Sequence, residues 1–260
     1  MRSNNRSVFR AISIVVAISG LITACGGGGG SDPAPTTGPS AEGVYGGTLT
    51  GSASSAFNLL VLENGDYWSL YGVQGATVFN VAGFVQGTGS SNNGNFSSSN
   101  GKDFGLFPAV SGSVNATYNA TAKTISGTTT SSSGSSTFNG GPIAGSLYNY
   151  DATATLSTVA GSWTTTSLTG ETVTISIAAG GTFTAVSSGG CRFSGTVTPR
   201  ASGKNVFNTS LTFGAAPCAL PNQVATGIAV AYPLASGRTQ LIVAVTDSAR
   251  TVGAAVVGSR

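Results

Sequence analysis

The chain has 260 residues, 40% of them hydrophobic and only 7% charged, with 39 glycines, one methionine and no histidine. Gly, Ser and Thr at this density lower helix propensity and supply turn geometry, so a mainly helical protein is excluded and many short strands joined by tight turns are expected. Without histidine, Ser/His/Asp and Cys/His catalysis and His-ligated zinc are excluded as well.

Arg2, Arg6 and Arg10 precede an apolar stretch over 11–24 whose ISIVVAISGLITA has the length and flanks of a secretory signal's hydrophobic region. Setting those three aside leaves eight basic residues against eight acidic ones, so the formal charge of +3 belongs to the precursor and the mature chain is neutral. Nucleic-acid binding by bulk charge is therefore unsupported. Ile22-Thr23-Ala24-Cys25 resembles the bacterial lipobox. The resemblance implies cleavage before Cys25 and lipidation of its sulfur. With Gly26 in place of the Asp that favours inner-membrane retention in enterobacterial-type lipoproteins, it also implies delivery to the outer membrane. Several acyl chains anchor durably where one does not. Residues 1–24 thus read as a signal peptide and 25–41 as a lipidated tether, because GGGGGSDPAPTTGPSA over 26–41 has no apolar period to fold around. This layout resembles that of uncharacterised proteobacterial lipoproteins.

Beyond the tether, Gly43-Val44-Tyr45 leading to Leu49-Thr50-Gly51 is echoed by Gly161-Ser162-Trp163 leading to Leu168-Thr169-Gly170, an offset of 118 residues. Each opening is followed by a hairpin pattern. Strands over 57–63 and 66–71 flank Asn64-Gly65, a dipeptide favoured in type I′ turns, and strands over 173–178 and 182–186 flank Gly180-Gly181. This argues for a degenerate duplication, with domains over 42–155 and 156–260. In the second, strands are expected near 160–168, 172–178, 182–187, 191–198, 205–213, 225–232, 239–246 and 250–258, and eight is the number that closes a small barrel. Val173, Ile175 and Ile177 alternate with Thr172, Thr174 and Ser176; Phe207, Leu211 and Phe213 share one parity, as do Ile228, Val230 and Tyr232, which predicts one buried and one wetted face. In the first, the low-complexity tracts 87–101 and 126–136 read as long loops or edge strands. The expected fold is all-β: two tandem antiparallel up-and-down β-barrels or barrel-like domains after a cleaved signal helix and a flexible tether. Gly-x-Trp opening the first of eight strands resembles the lipocalin/avidin (calycin) pattern, with Tyr45 standing in the first repeat where the tryptophan would be.

Once Cys25 is assigned to lipid, Cys191 and Cys218 remain as an even pair in an oxidising compartment, and a disulfide is expected. If 191–198 and 205–213 pair as a hairpin, residue 191 lies opposite about 212 and the bridge pins the following loop to the barrel rim. Glu63 and Asp66 flank a turn and Lys102-Asp103 lies in a polar tract, so neither forms the paired carboxylates of a hydrolase, and Asp66 alone does not make a calcium shell. No catalytic residue, metal ligand or cofactor site is assigned.

The first half carries two basic and five acidic residues, the second six basic and two acidic. Up-and-down order gathers Arg200, Lys204, Arg238 and Arg260 at the end holding Trp163, as a basic rim. There Arg260 or Arg238 could cover the indole by cation–π stacking, as an arginine does in lipocalins. Among Tyr67, Trp68, Tyr71, Phe79 and Phe84, alternation sets Tyr67 and Tyr71 on one face and Trp68 on the other. At least one large aromatic must then sit outside the first lumen or at a contact between domains. The expected function is that of a non-enzymatic outer-membrane lipoprotein acting as a binding or surface-interaction module. Its partners are the membrane, through its N-terminal lipid, and an envelope protein or a small apolar ligand. The alternative is a structural envelope protein with filled barrels, and a hollow lumen separates the two.

Overall fold

A computed structural model describes residues 38–74, 79–105 and 108–260. The signal region, Cys25 and the tether up to residue 37 lie outside them. The tether's end is held: Ala41 is fully buried, its N–H donates to Ser91 Oγ at 3.0 Å, and Tyr118 Oη donates to Pro39 O at 2.6 Å.

The first domain runs β1 Gly43–Thr50, β2 Ala56–Val61, β3 Asp66–Gln74, β4 Phe79–Thr88, β5 Ser90–Asn92, β6 Asn95–Asp103, β7 Val110–Asn119, β8 Thr124–Ser131 and β9 Gly134–Gly141. A 3-10 turn, Leu156–Thr158, leads into the second. There the strands are β10 Gly161–Ser167, β11 Thr172–Ile177, β12 Thr182–Ser187, β13 Arg192–Pro199, β14 Phe207–Phe213, β15 Val224–Pro233, β16 Thr239–Thr246 and β17 Gly253–Ser259. Both domains are antiparallel barrels with eight ring positions. In the first, β9 returns to β1, and β4 and β5, interrupted at Gly89, share one position by both pairing with β6. In the second, β17 closes onto β10 with Thr166 opposite Val257.

The hairpin turns differ from the type I′ expected at Asn64-Gly65. Leu62 N–H donates to Asp66 O at 2.8 Å, Gly65 N–H donates to Leu62 O at 2.9 Å, and φ is positive at Gly65 (+84°) but not at Asn64. This is a type I turn closed by a glycine bulge, which turns the strands with one left-handed residue instead of two. The same bonds recur over 178–182, with Gly181 at φ +86°. A type I′ turn does occur at Asn93-Gly94 (φ +48° and +80°), inside a tract expected to be a loop. The tracts 87–101 and 126–136 are not long loops: they belong to β4–β6 and β8–β9, paired with neighbours around the closed ring, and of these only the short β5 has the one-sided pairing of an edge, with β6. β6, β8 and β9 each bury one large side chain, Phe96, Ile125 and Phe138, against an outward face of Ser, Thr and Asn. In a closed ring that sparse pattern is enough.

Three cores result. Two lie inside the barrels, and the third lies between them, where Leu60, Trp68 and Leu70 from β2 and β3 meet Ile228, Val230 and Tyr232 from β15 and Ile242 from β16. Ile228, Val230 and Tyr232 therefore point outward onto the first barrel, while Ala225, Ala229 and Ala231 face inward, so over 228–232 this strand is buried on both sides and has no wetted face. On the partner side, the pairing steps from Tyr71–Gly83 to Gly72–Val81, leaving Ala82 as an extra residue. This bulge reverses parity within β4 and brings both Phe79 and Phe84 into the same inter-barrel cluster. Tyr67 goes into the first lumen and Trp68 to the domain contact, as alternation requires.

The opposite charges of the two halves also meet here. Arg200 Nε lies 2.8 Å from Glu63 Oε1, and Lys204 Nζ lies 2.7 Å from Asp151 Oδ1 and 3.4 Å from Glu42 Oε1. The hydrogen bond from Lys204 holds the Asp151 carboxyl below the usual carboxylate range. Arg250 Nη2 donates to Gln86 O and Asn100 O, and Lys102 Nζ donates to Arg250 O.

Candidate functional site

The two lumens are filled differently. In the first barrel, Tyr45, Phe57, Tyr67, Phe96, Tyr118 and Phe138 point inward, and six aromatic rings leave a void of only about 50 Å³. In the second, Phe183, Phe193 and Phe213 line part of the wall, but many inward positions hold short aliphatic chains: Val173, Ile175 and Ile177 on β11, Val197 on β13, Val243 and Val245 on β16. Chains of this reach do not meet across an eight-stranded barrel, and a cavity of about 250 Å³ remains. An apolar cavity of about 150 Å³ suffices for benzene.

The cavity has a floor and a mouth. At the floor, Phe207 is fully buried, and below the rim Trp163 donates from Nε1 to Val159 O at 2.6 Å, in the segment just after the 3-10 turn. Arg260 covers the indole, its guanidinium carbon 3.9 Å from the ring centroid, and donates from Nη1 to Ala160 O at 2.8 Å. Phe207 packs beneath the lumen and does not line it. At the other end the cavity reaches the surface between the turns at 167–171 and 187–191 and the loop 214–223. Cys191 and Cys218 are joined, their Cα atoms 4.6 Å apart, so that loop is fastened beside the mouth. Ser194 pairs with Thr212, which places residue 191 opposite 215, three positions farther along than 212, because β14 begins later than the pattern suggested.

The strand register brings Arg200, Lys204, Arg238 and Arg260 to the end that holds Trp163. Each is engaged there by the protein: Arg200 and Lys204 with carboxylates at the inter-barrel seam, Arg238 with Ser259 Oγ at 2.6 Å, and Arg260 with the indole. The opening residues of the two repeats are equivalent in detail. Tyr45 Oη donates to Ala41 O at 2.8 Å as Trp163 Nε1 does to Val159 O, each four residues back. Beside Gly43, Lys123 Nζ donates to Glu42 O, as Arg260 does to Ala160 O beside Gly161. Burial pushes the Tyr45 hydroxyl up to about 12, so it remains a donor at any physiological pH.

The acidic candidates are spent on local structure. Asp66 accepts from Thr88 Oγ1 and Asn64 Nδ2, and Asp103 accepts from Tyr71 Oη and Gly105 N–H. Among the described residues no three of His, Cys, Asp and Glu stand close enough to hold a metal. Two residues that composition and spacing did not bring forward do line the lumen. Thr209 lies on the inner face of β14 between Phe207 and Leu211, and Glu171 stands at the mouth. A polar residue on the apolar parity of Phe207, Leu211 and Phe213 was the available signal for Thr209.

No protein-family model matches the chain, and no curated protein is recognisably similar to it.

Proposed function

We propose that this protein is a non-enzymatic, lipid-anchored protein of the bacterial outer membrane whose second barrel holds a small apolar ligand and whose first barrel is a filled structural partner. The observation that carries the reading is the unequal filling: a floored apolar cavity of about 250 Å³ in one barrel against about 50 Å³ in the other. The resemblance to lipocalin/avidin barrels supports it, since Trp163, the preceding 3-10 turn and the covering Arg260 together seal one end only. The filled first barrel favours a structural role for that half.

An uncharged fluorescent probe, N-phenyl-1-naphthylamine, should bind the purified protein saturably with an enhanced, blue-shifted emission. Ala254→Phe, which places a ring in the lumen from β17, should abolish that signal while the fold is kept. Binding unaffected by Ala254→Phe would place the probe elsewhere and reject the lumen as the site. Anchoring is tested separately: Cys25→Ser should remove the protein from the outer-membrane fraction, and an unchanged distribution rejects the lipid anchor.

A further inference from the structure

Among the described residues facing the second lumen, one buried side-chain polar group has no partner. Thr209 is 2% exposed, faces the cavity, and its Oγ1 makes no hydrogen bond. Thr165, the comparable inward threonine on β10, donates to Val173 O at 3.0 Å. Buried hydroxyls are satisfied in the great majority of cases, and leaving one orphaned is costly. Its depth follows from register: Phe207 pairs with Pro199 at the sealed end and Phe213 with Phe193 at the mouth, so Thr209 stands one inward position above the floor. At the opposite end, Glu171 is the one charged side chain among the described residues lining the cavity, its carboxylate lying across the backbone of Gly189. Among the described residues no lysine or arginine lines the cavity to receive an anion.

Resting on the reading that the lumen takes a ligand, we propose that its occupant is an uncharged apolar molecule with one hydroxyl or carbonyl oxygen. The molecule enters oxygen first, pairs that oxygen with Thr209 near the floor and leaves its hydrocarbon against the aliphatic walls. A threonine hydroxyl both donates and accepts, so it serves an alcohol, ketone or aldehyde equally. Glu171 at the entrance turns anions away, because a carboxylate headgroup would meet like charge with no counter-ion. At about 30 Å³ for each water-sized group, the enclosed part of the cavity suits a chain of about seven or eight heavy atoms, and a larger molecule such as N-phenyl-1-naphthylamine extends through the open mouth.

Displacement of N-phenyl-1-naphthylamine by heptanol, heptane and heptanoate tests this, since the three differ in the terminal group alone. Thr209→Val keeps the shape and removes the hydroxyl. It should weaken heptanol by about tenfold, the worth of one hydrogen bond, and leave heptane unchanged. It should also raise the Tm of the empty protein by about 2–4 °C, as an unpaired buried hydroxyl is replaced by a methyl. Thr209→Ser, which keeps the hydroxyl, should retain the preference for heptanol. Heptanoate should bind at least tenfold more weakly than heptanol, with Glu171→Gln narrowing the gap. If heptane and heptanol respond alike to Thr209→Val, the hydroxyl holds a bound water only and this proposal falls while the lumen remains a ligand site. If the probe and all three compounds fail to bind the unaltered protein, the ligand-binding reading falls and takes this proposal with it.

Discussion

Phe84→Ala should destabilise the protein by about 3–5 kcal/mol, the range for removing a fully buried aromatic ring. Phe84 is fully buried between Trp68, at 5.8 Å between ring centroids, and Phe104, at 4.9 Å, with both pairs nearly parallel. Across the seam the second barrel offers Gly253, where a Cβ would come within 2.6 Å of Phe84 Cζ, so the stack packs directly against the start of β17. Truncating the ring leaves a hole at the centre of the inter-barrel cluster that neither rigid sheet can collapse to fill. The ion pairs around it compensate little, since partly exposed pairs such as Arg200–Glu63 contribute about 0–1 kcal/mol. A thermal melt followed by near-UV circular dichroism should show the single transition of the intact protein lowered by about 10 °C, or divided in two as the barrels unfold independently. A Tm within a degree or two of the unaltered protein would mean that the barrels are held together by something other than this stack.

Replacing both Cys191 and Cys218 with alanine should cost about 3.5 kcal/mol on the chain-entropy account, because the bridge closes a long loop with a sequence separation of 27. The loss has a second consequence at the mouth of the lumen. The loop 214–223 is fastened to the rim by this bridge, with Pro217 and Leu220 lining the entrance, and few backbone bonds besides tie it to the strands: Gly214 N–H to Arg192 O at 2.7 Å and Phe213 N–H to Gln223 O at 2.9 Å. Freed, the loop should open the cavity, so the double variant should release N-phenyl-1-naphthylamine faster as well as melt earlier. Stopped-flow dissociation and a melt of the same sample measure both effects. Equal melting of oxidised and reduced protein would show that the bridge contributes nothing to the fold.

Every strand of the second barrel lies within three residues of where alternation placed it, because period-two patterning and glycine punctuation are local signals that survive any tertiary context. The cysteine pairing was legible for a related reason, since with Cys25 set aside no other partner exists. The basic end was legible too, because strand direction alternates in an up-and-down order. The turn at Asn93-Gly94 carried its dipeptide signal in plain view, masked by the Gly/Ser composition around it.

Other features could not be read from neighbours in the chain. Alternation says that β15 has two faces; that the Ile228, Val230 and Tyr232 face is covered depends on a second barrel packing against it. The parity of Phe84 depends on one extra residue, Ala82, opposite Tyr71 and Gly72. Which barrel is hollow depends on the volumes of side chains that meet across a closed ring from strands far apart in the sequence: six aromatic rings in the first, and in the second Val and Ile between Phe207 at the floor and a few rings on the walls. The strand number of the second barrel, the two-sided alternation of its strands and the paired cysteines were thus determined by the sequence alone, because each is read from local pattern or from the cysteine count. The inter-barrel core, the lumen and the orphaned hydroxyl of Thr209 were decided only by tertiary structure, because burial and pairing are properties of residues brought together by closure.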